Sequence, residues 1–241
     1  MTIAGPGANL LTISGGNQVQ VFNITSGTVT ISGLTIANGR DTSGFGAGIQ
    51  STATLTVSNC TFSGNTSGSG GGIYGAATTM VSNSTFSGNT ATEGGGIYNN
   101  NGGTLTVNNS TLSGNSAGEG GGIFNLDMLT LNNNIVAGNK SSDCFNCGTP
   151  SDNLIGGNPK LAPLGWYGGP TQTMLPLPGS PVIDAGLAIA TDDPNRDQRG
   201  FGRPSAAGNT VDLGAVQTNY LIVVTNVGPG QWRMQAKHPQ R

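Results

Sequence analysis

The residues able to do acid–base, metal or thiol chemistry are few and fall into three groups. The first is Glu93 and Glu119, each standing directly before a run of glycines and 26 residues apart. Two carboxylates held one above the other could serve a glycosidase or hold a cation. Breaking a polysaccharide needs such carboxylates as acid, base or metal ligand, usually with a Lys or Arg against a sugar acid. From Thr42 to Asn139 the only other charge is Asp127, so no cation accompanies the pair. We therefore expect two solvated turn residues, no catalytic residues and no cofactor.

The second group is Asp184, Asp192, Asp193, Asp197 and Asp212, with Arg196, Arg199 and Arg203. A calcium site needs several converging oxygens, and Asp192, Asp193, Asn195 and Asp197 are the weak candidates. An ion-paired brace of Asp184, Asp197, Arg199, Arg203 and Asp212 is the stronger expectation, because bidentate Asp–Arg pairs suit irregular loops. The third group is Cys144 and Cys147. That spacing fits a tight disulfide, free thiols, a redox pair or half a metal site. Zinc would need further ligands, and Cys60 and His238 do not supply them at ligand spacing. Cys60 falls where Ser84 and Ser110 fall, so it reads as a small ladder residue.

What must position these residues is a repeat. Ile49, Ile73, Ile97 and Ile123 follow glycine-rich runs at steps of 24, 24 and 26. Val57, Val81, Val107 and Leu131 keep the period, as do Phe62, Phe86, Leu112 and Val136. So do Asn65, Asn89, Asn115 and Asn139. A period of this length is one supersecondary unit repeated. Each unit holds three short alternating runs separated by glycine and asparagine, which tolerate positive φ. Three strands and three turns make one coil of a parallel β-solenoid, with coils about 4.8 Å apart. One coil cannot bury its inward row alone, so coils must stack. The two extra residues of the third unit fall at Asn100–Gly103, in a turn. The asparagine rows Asn59/Asn83/Asn109/Asn133 and Asn65/Asn89/Asn115/Asn139 should both stack, with amides able to bond along the axis.

Composition excludes several classes. Of 241 residues only 8 % are charged, and net charge is −2. Nothing supports nucleic-acid binding or attraction to acidic lipid. No apolar run reaches transmembrane length, so no membrane insertion is expected. Met1-Thr-Ile-Ala-Gly-Pro6 lacks the basic and apolar parts of a secretory signal. An exported chain would then need a leader already removed, a longer parent or another route.

We divide the chain into coils at 1–143, a closing region at 144–217 and a C-terminal strand and tail at 218–241. The closing region is rich in proline, from Pro159 to Pro204, and should cover the last coil. Its motifs are Asn158-Pro-Lys-Leu-Ala-Pro-Leu164, Gly168-Gly-Pro-Thr171, Leu177-Pro-Gly-Ser-Pro-Val-Ile-Asp-Ala-Gly186, Asp197-Gln-Arg-Gly200, Arg203-Pro204 and Asp212-Leu-Gly-Ala215. Together they resemble the choice-of-anchor Q domain of bacterial surface and secreted proteins. The GGGI and F-S-G-N repeats are similar to those of chlamydial polymorphic outer-membrane proteins. The resemblance implies an all-β chain, a right-handed single-stranded parallel β-helix, in an extracellular or cell-surface location, without a known catalytic set. Members usually continue into an anchoring signal, and no sorting motif follows here.

Two surfaces suggest partners. Thr28, Thr30, Thr54, Thr56, Thr104 and Thr106 should form an outward lattice like that of ice-binding solenoids, interrupted at Met80 and Met128. Serine, threonine and asparagine faces also suit carbohydrate. The first coil and the apolar strand Tyr220, Leu221, Ile222, Val223, Val224 and Thr225 should leave unsatisfied edges. These predict head-to-tail self-association through the N-terminal coil and C-terminal region, into fibres. The leading expectation is a structural or adhesive surface protein. A polysaccharide-binding or polysaccharide-degrading β-helix is the alternative.

Overall fold

The computed structural model describes residues 1–7, 10–187, 196–203 and 210–218, and the backbone of 221–228 and 231–237. Three parallel sheets run the length of a solenoid of about six coils. The first comprises Thr2–Ala4, Thr28–Ser32, Thr54–Ser58, Thr78–Ser82, Thr104–Asn108 and Met128–Asn132. The second comprises Thr12–Ser14, Thr35–Ala37, Thr61–Ser63, Thr85–Ser87, Thr111–Leu112, Ile135–Val136 and Leu154–Ile155. The third comprises Phe22–Ile24, Ile49–Ser51, Ile73–Gly75, Ile97–Asn99, Ile123–Asn125 and Cys144–Phe145. Among the described residues no helix is long and apolar enough to cross a membrane.

The inward rows pair in the register that the period dictates. Ile49, Ile73, Ile97 and Ile123 are consecutive partners. Phe62 faces Phe86, with rings 4.4 Å apart and 2° from parallel. Leu55, Thr79, Leu105 and Leu129 form another row. Thr79 is buried there, and its Oγ1 has no hydrogen-bond partner. A buried hydroxyl without a partner costs stability. Thr79→Val, which keeps the shape, should therefore stabilise the protein by about 1 kcal/mol; urea melts of the two proteins check it, and a loss of stability would contradict it.

The two asparagine rows behave differently. Asn65 Nδ2 donates to Asn89 Oδ1 at 2.8 Å, Asn89 Nδ2 to Asn115 Oδ1 at 2.9 Å, and Asn115 Nδ2 to Asn139 Oδ1 at 3.0 Å. Each of these oxygens also accepts the backbone N–H of the asparagine in the preceding coil. Asp143 ends the row by accepting both the N–H and the Nδ2 of Asn139. A carboxylate suits a last rung because it only accepts. The expected bonding along the Asn59, Asn83, Asn109, Asn133 row does not occur. These residues sit at φ of 51°, 43°, 46° and 54°, turning the chain between the first and second sheets. Asparagine is chosen there for its tolerance of the left-handed region.

The closing region does not simply cover the last coil. It runs back along the outer face of the second sheet. Thr61, Thr85, Thr111 and Ile135 point outward there and are buried beneath it. Ile135 and Ala137 pack with Val182 and Leu213 in a separate apolar cluster. Loops rich in unpaired backbone groups need partners, and a column of threonine hydroxyls offers them at regular intervals.

Leu221–Gly228 is a strand, but it pairs antiparallel with Gln231–Lys237. Part of the expected tail, Gln231–Lys237, is therefore its partner strand. Trp232, Met234 and Ala236 alternate with polar residues, a strand signal that the charges obscured. Tyr220 lies outside the described residues.

Candidate functional site

The outward residues of the first sheet stand in registered columns. Thr2, Thr30, Thr56, Met80, Thr106 and Thr130 form one. Thr28 lies beside Thr54, and Thr78 leads to Thr104 and Met128 in the next. Ser32, Ser58, Ser82, Asn108 and Asn132 make a third, in which Asn132 Nδ2 donates to Asn108 Oδ1 at 2.9 Å. The six threonines singled out in the sequence thus share one face, which Thr2 extends. Met128, 66 % exposed, breaks the lattice.

Glu93 and Glu119 are bridge partners in adjacent coils. Neither forms an ion pair with a described residue. Their neighbours are an aromatic ladder the sequence reading missed: Tyr74, Tyr98, Phe124 and Phe145 stack at 5.3, 5.1 and 4.4 Å. The signal was available, since an aromatic follows the Ile of each GGGI run. Burial pushes the Tyr98 phenol up, and Glu93 and Tyr74 add to it. The hydroxyl stays a neutral donor.

The closing-region acids and arginines come together, in a form other than a ring of ion pairs. Asp197 Oδ2 accepts Arg199 Nη2 at 2.7 Å and Nε at 2.9 Å, both on one oxygen. Asp197 also accepts the N–H groups of Arg199, Phe201 and Gln217. Arg203 instead donates to the carbonyls of Asp212 and Gly214 at 3.1 and 2.6 Å. Burial pulls its guanidinium down to about 10 against the opposing pull of Asp197 and Asp212. Asp212 accepts the N–H of Asp184 and both donors of Thr218. Burial raises its carboxyl above the usual value, partly countered by these bonds. Carbonyls and amides compete well for these charges because irregular loops leave many unpaired. Both carboxylate oxygens of Asp197 are engaged by donors of this chain. Asp192, Asp193 and Asn195 lie outside the described residues, and among the described residues no acidic or thiol cluster could hold a metal.

Gln198, between those acids and bases, fastens the closing region to the coils. Its Nε2 reaches Thr171 Oγ1 at 2.7 Å and Cys60 O at 3.1 Å, and its Oε1 accepts Thr85 Oγ1 at 2.6 Å. No sequence pattern marks it, since its partners in the coils, Cys60, Thr61 and Thr85, lie more than 100 residues away.

Cys144 and Cys147 are joined as a disulfide, with Cα atoms 5.9 Å apart. Cys60 is fully buried, and burial pushes its thiol up to about 12. Only the thiolate is nucleophilic. Folded protein should leave Cys60 unlabelled by iodoacetamide at mildly alkaline pH, and urea-unfolded protein should label it; mass spectrometry reads both, and labelling of the folded form would contradict this burial.

The geometry defines a parallel β-helix with a largely uncharged exterior. The chain belongs to the family of the right handed beta helix region, whose model matches residues 9–159. No curated protein matches the chain, and no solved structure matches it.

Proposed function

We propose that this protein is a non-catalytic extracellular β-helix, a structural or adhesive element of a bacterial cell surface. The observation that carries the reading is the outward face of the first sheet: registered columns of threonine, serine, asparagine and methionine, without an ionisable group. Such a face presents hydroxyls and amides at a fixed pitch and suits contact with an extended, hydroxyl-rich partner. The resemblance to choice-of-anchor Q and polymorphic outer-membrane proteins supports the surface location. Association of copies end to end, through the N-terminal coil and the C-terminal region, is part of this proposal.

Retention on insoluble polysaccharide particles and on bacterial cell walls, scored against a charge-matched control protein, tests adhesion. We expect retention that changes little with salt, because screening acts on charges. Failure to bind any of these surfaces would count against the reading. Sedimentation over a range of concentrations tests self-association; a strict monomer throughout would remove the fibre component. The registered threonines favour ice binding as a second reading, which thermal hysteresis would support.

A further inference from the structure

A groove runs along one border of the first sheet's outward face. A cleft of about 280 Å³ lies along the turn between the first and second sheets, lined by Thr56, Ser58, Asn59, Met80, Ser82 and Asn83. At Asn59 it adjoins a second cleft of about 310 Å³, bounded by Gly5, Ser32 and Gly33 on one side and by Pro170 and Arg196 of the closing region on the other. The register Ala4–Ser32–Ser58–Ser82–Asn108 carries the groove across four coil steps, about 19 Å at 4.8 Å each.

Asn83 is the residue that asks for a ligand. It is 7 % exposed, and its Oδ1 has no hydrogen-bond partner. A buried amide oxygen left unpaired costs about 1–3 kcal/mol. Two coils on, Asn133 occupies the same register and is satisfied. Its Oδ1 accepts the N–H of Leu187 at 3.1 Å, and its Nδ2 donates to the Leu187 carbonyl at 2.7 Å. An amide in this position therefore takes a neighbouring donor and acceptor together, which adjacent sugar hydroxyls also supply. Met80, 37 % exposed, provides a soft apolar surface beside it. No charged side chain lines the Asn83 cleft, so an uncharged ligand loses no favourable partner there.

We propose that this groove binds a neutral oligosaccharide, with one ring over Met80 and a pair of its hydroxyls on the Asn83 amide. The proposal rests on the adhesive, non-catalytic reading and gives it a ligand class and a place. The test is titration of isotopically labelled protein with cellotetraose, xylotetraose and chitotetraose, and with tetragalacturonate as the charged comparison, reading the side-chain amide signals of Asn83 and Asn59. At least one neutral tetrasaccharide should shift both signals saturably. Asn83→Gly, which keeps the left-handed turn, and Met80→Ala should each weaken binding about tenfold, the equivalent of roughly 1.4 kcal/mol.

Three results would overturn the proposal: no movement of the Asn83 amide at millimolar neutral sugar, unchanged affinity in both variants, or tighter binding of tetragalacturonate in the same groove. If Asn83→Gly protein still clings to polysaccharide particles as the parent does, the groove assignment falls and the adhesive reading stands. Cleavage of a probe would instead sink the non-catalytic reading.

Discussion

Asn89→Ala should destabilise the protein by about 4–6 kcal/mol, more than any single change on the solenoid's exposed faces. Asn89 is fully buried, and its Oδ1 is the acceptor for both the N–H and the Nδ2 of Asn65. Its own Nδ2 donates to Phe62 O and Asn115 Oδ1. Alanine removes all four bonds at once. The Asn65 N–H is then left inside without an acceptor, at about 1–3 kcal/mol, and each other lost bond adds about 1 kcal/mol. Asn89→Asp should be no rescue. It restores the acceptor but turns a carboxylate oxygen toward Phe62 O and Asn115 Oδ1, where a donor is required. Asn109→Gly, in the turn row whose asparagines serve conformation, should change stability by less than about 1 kcal/mol. Urea denaturation of the three variants checks the ranking. Equal effects of Asn89→Ala and Asn109→Gly would show that the amide row does not bind the coils together.

Asp197→Ala should cost about 3–5 kcal/mol, because it leaves a buried guanidinium uncompensated. Asp197 and Arg199 are 1 % and 4 % exposed, and three backbone N–H groups lose their acceptor with the carboxylate. The damage should be local at first. Repeat stacks are held by neighbour contacts, so the coils should persist while the closing region loosens. Hydrogen exchange should show faster exchange at Arg199, Phe201 and Gln217, with the Ile73–Ile97–Ile123 layers still protected. Simultaneous loss of protection throughout would mean that the closing region is integral to the stack.

The coils were legible because their physics is local and repeated. The step between isoleucines gives the coil length, and the alternation within each strand gives the inward face. The two-residue excess at Asn100–Gly103 lies in a turn, where Gly102 takes a φ of 85°, and leaves every inward row in register. The distinction between the asparagine rows was not legible, because both repeat with the same period. The positive φ of Asn59, Asn83, Asn109 and Asn133 marks the row that turns the chain, and bonds along the axis mark the other.

The closing region was half legible. Its acids and arginines announced a brace, but carbonyl acceptors carry no sequence signature, so the partners of Arg203 could not be read. Nor could the docking of Gln198 on Cys60, Thr61 and Thr85, which depends on two distant stretches meeting. Asn83 was legible only as one member of a row. Its unpaired oxygen appears when its environment is compared with that of Asn133, where the closing chain supplies the missing groups.

We propose that this sparsely charged β-helix holds its partner without transforming it. The most direct measurement is mass spectrometry of chain ends after prolonged incubation with neutral and uronic-acid polysaccharides that the protein retains. We expect the bound polymer to be recovered at its original length, with no new reducing or unsaturated ends. New ends that disappear when Glu93→Gln and Glu119→Gln are combined would contradict the claim and make that carboxylate pair an active site.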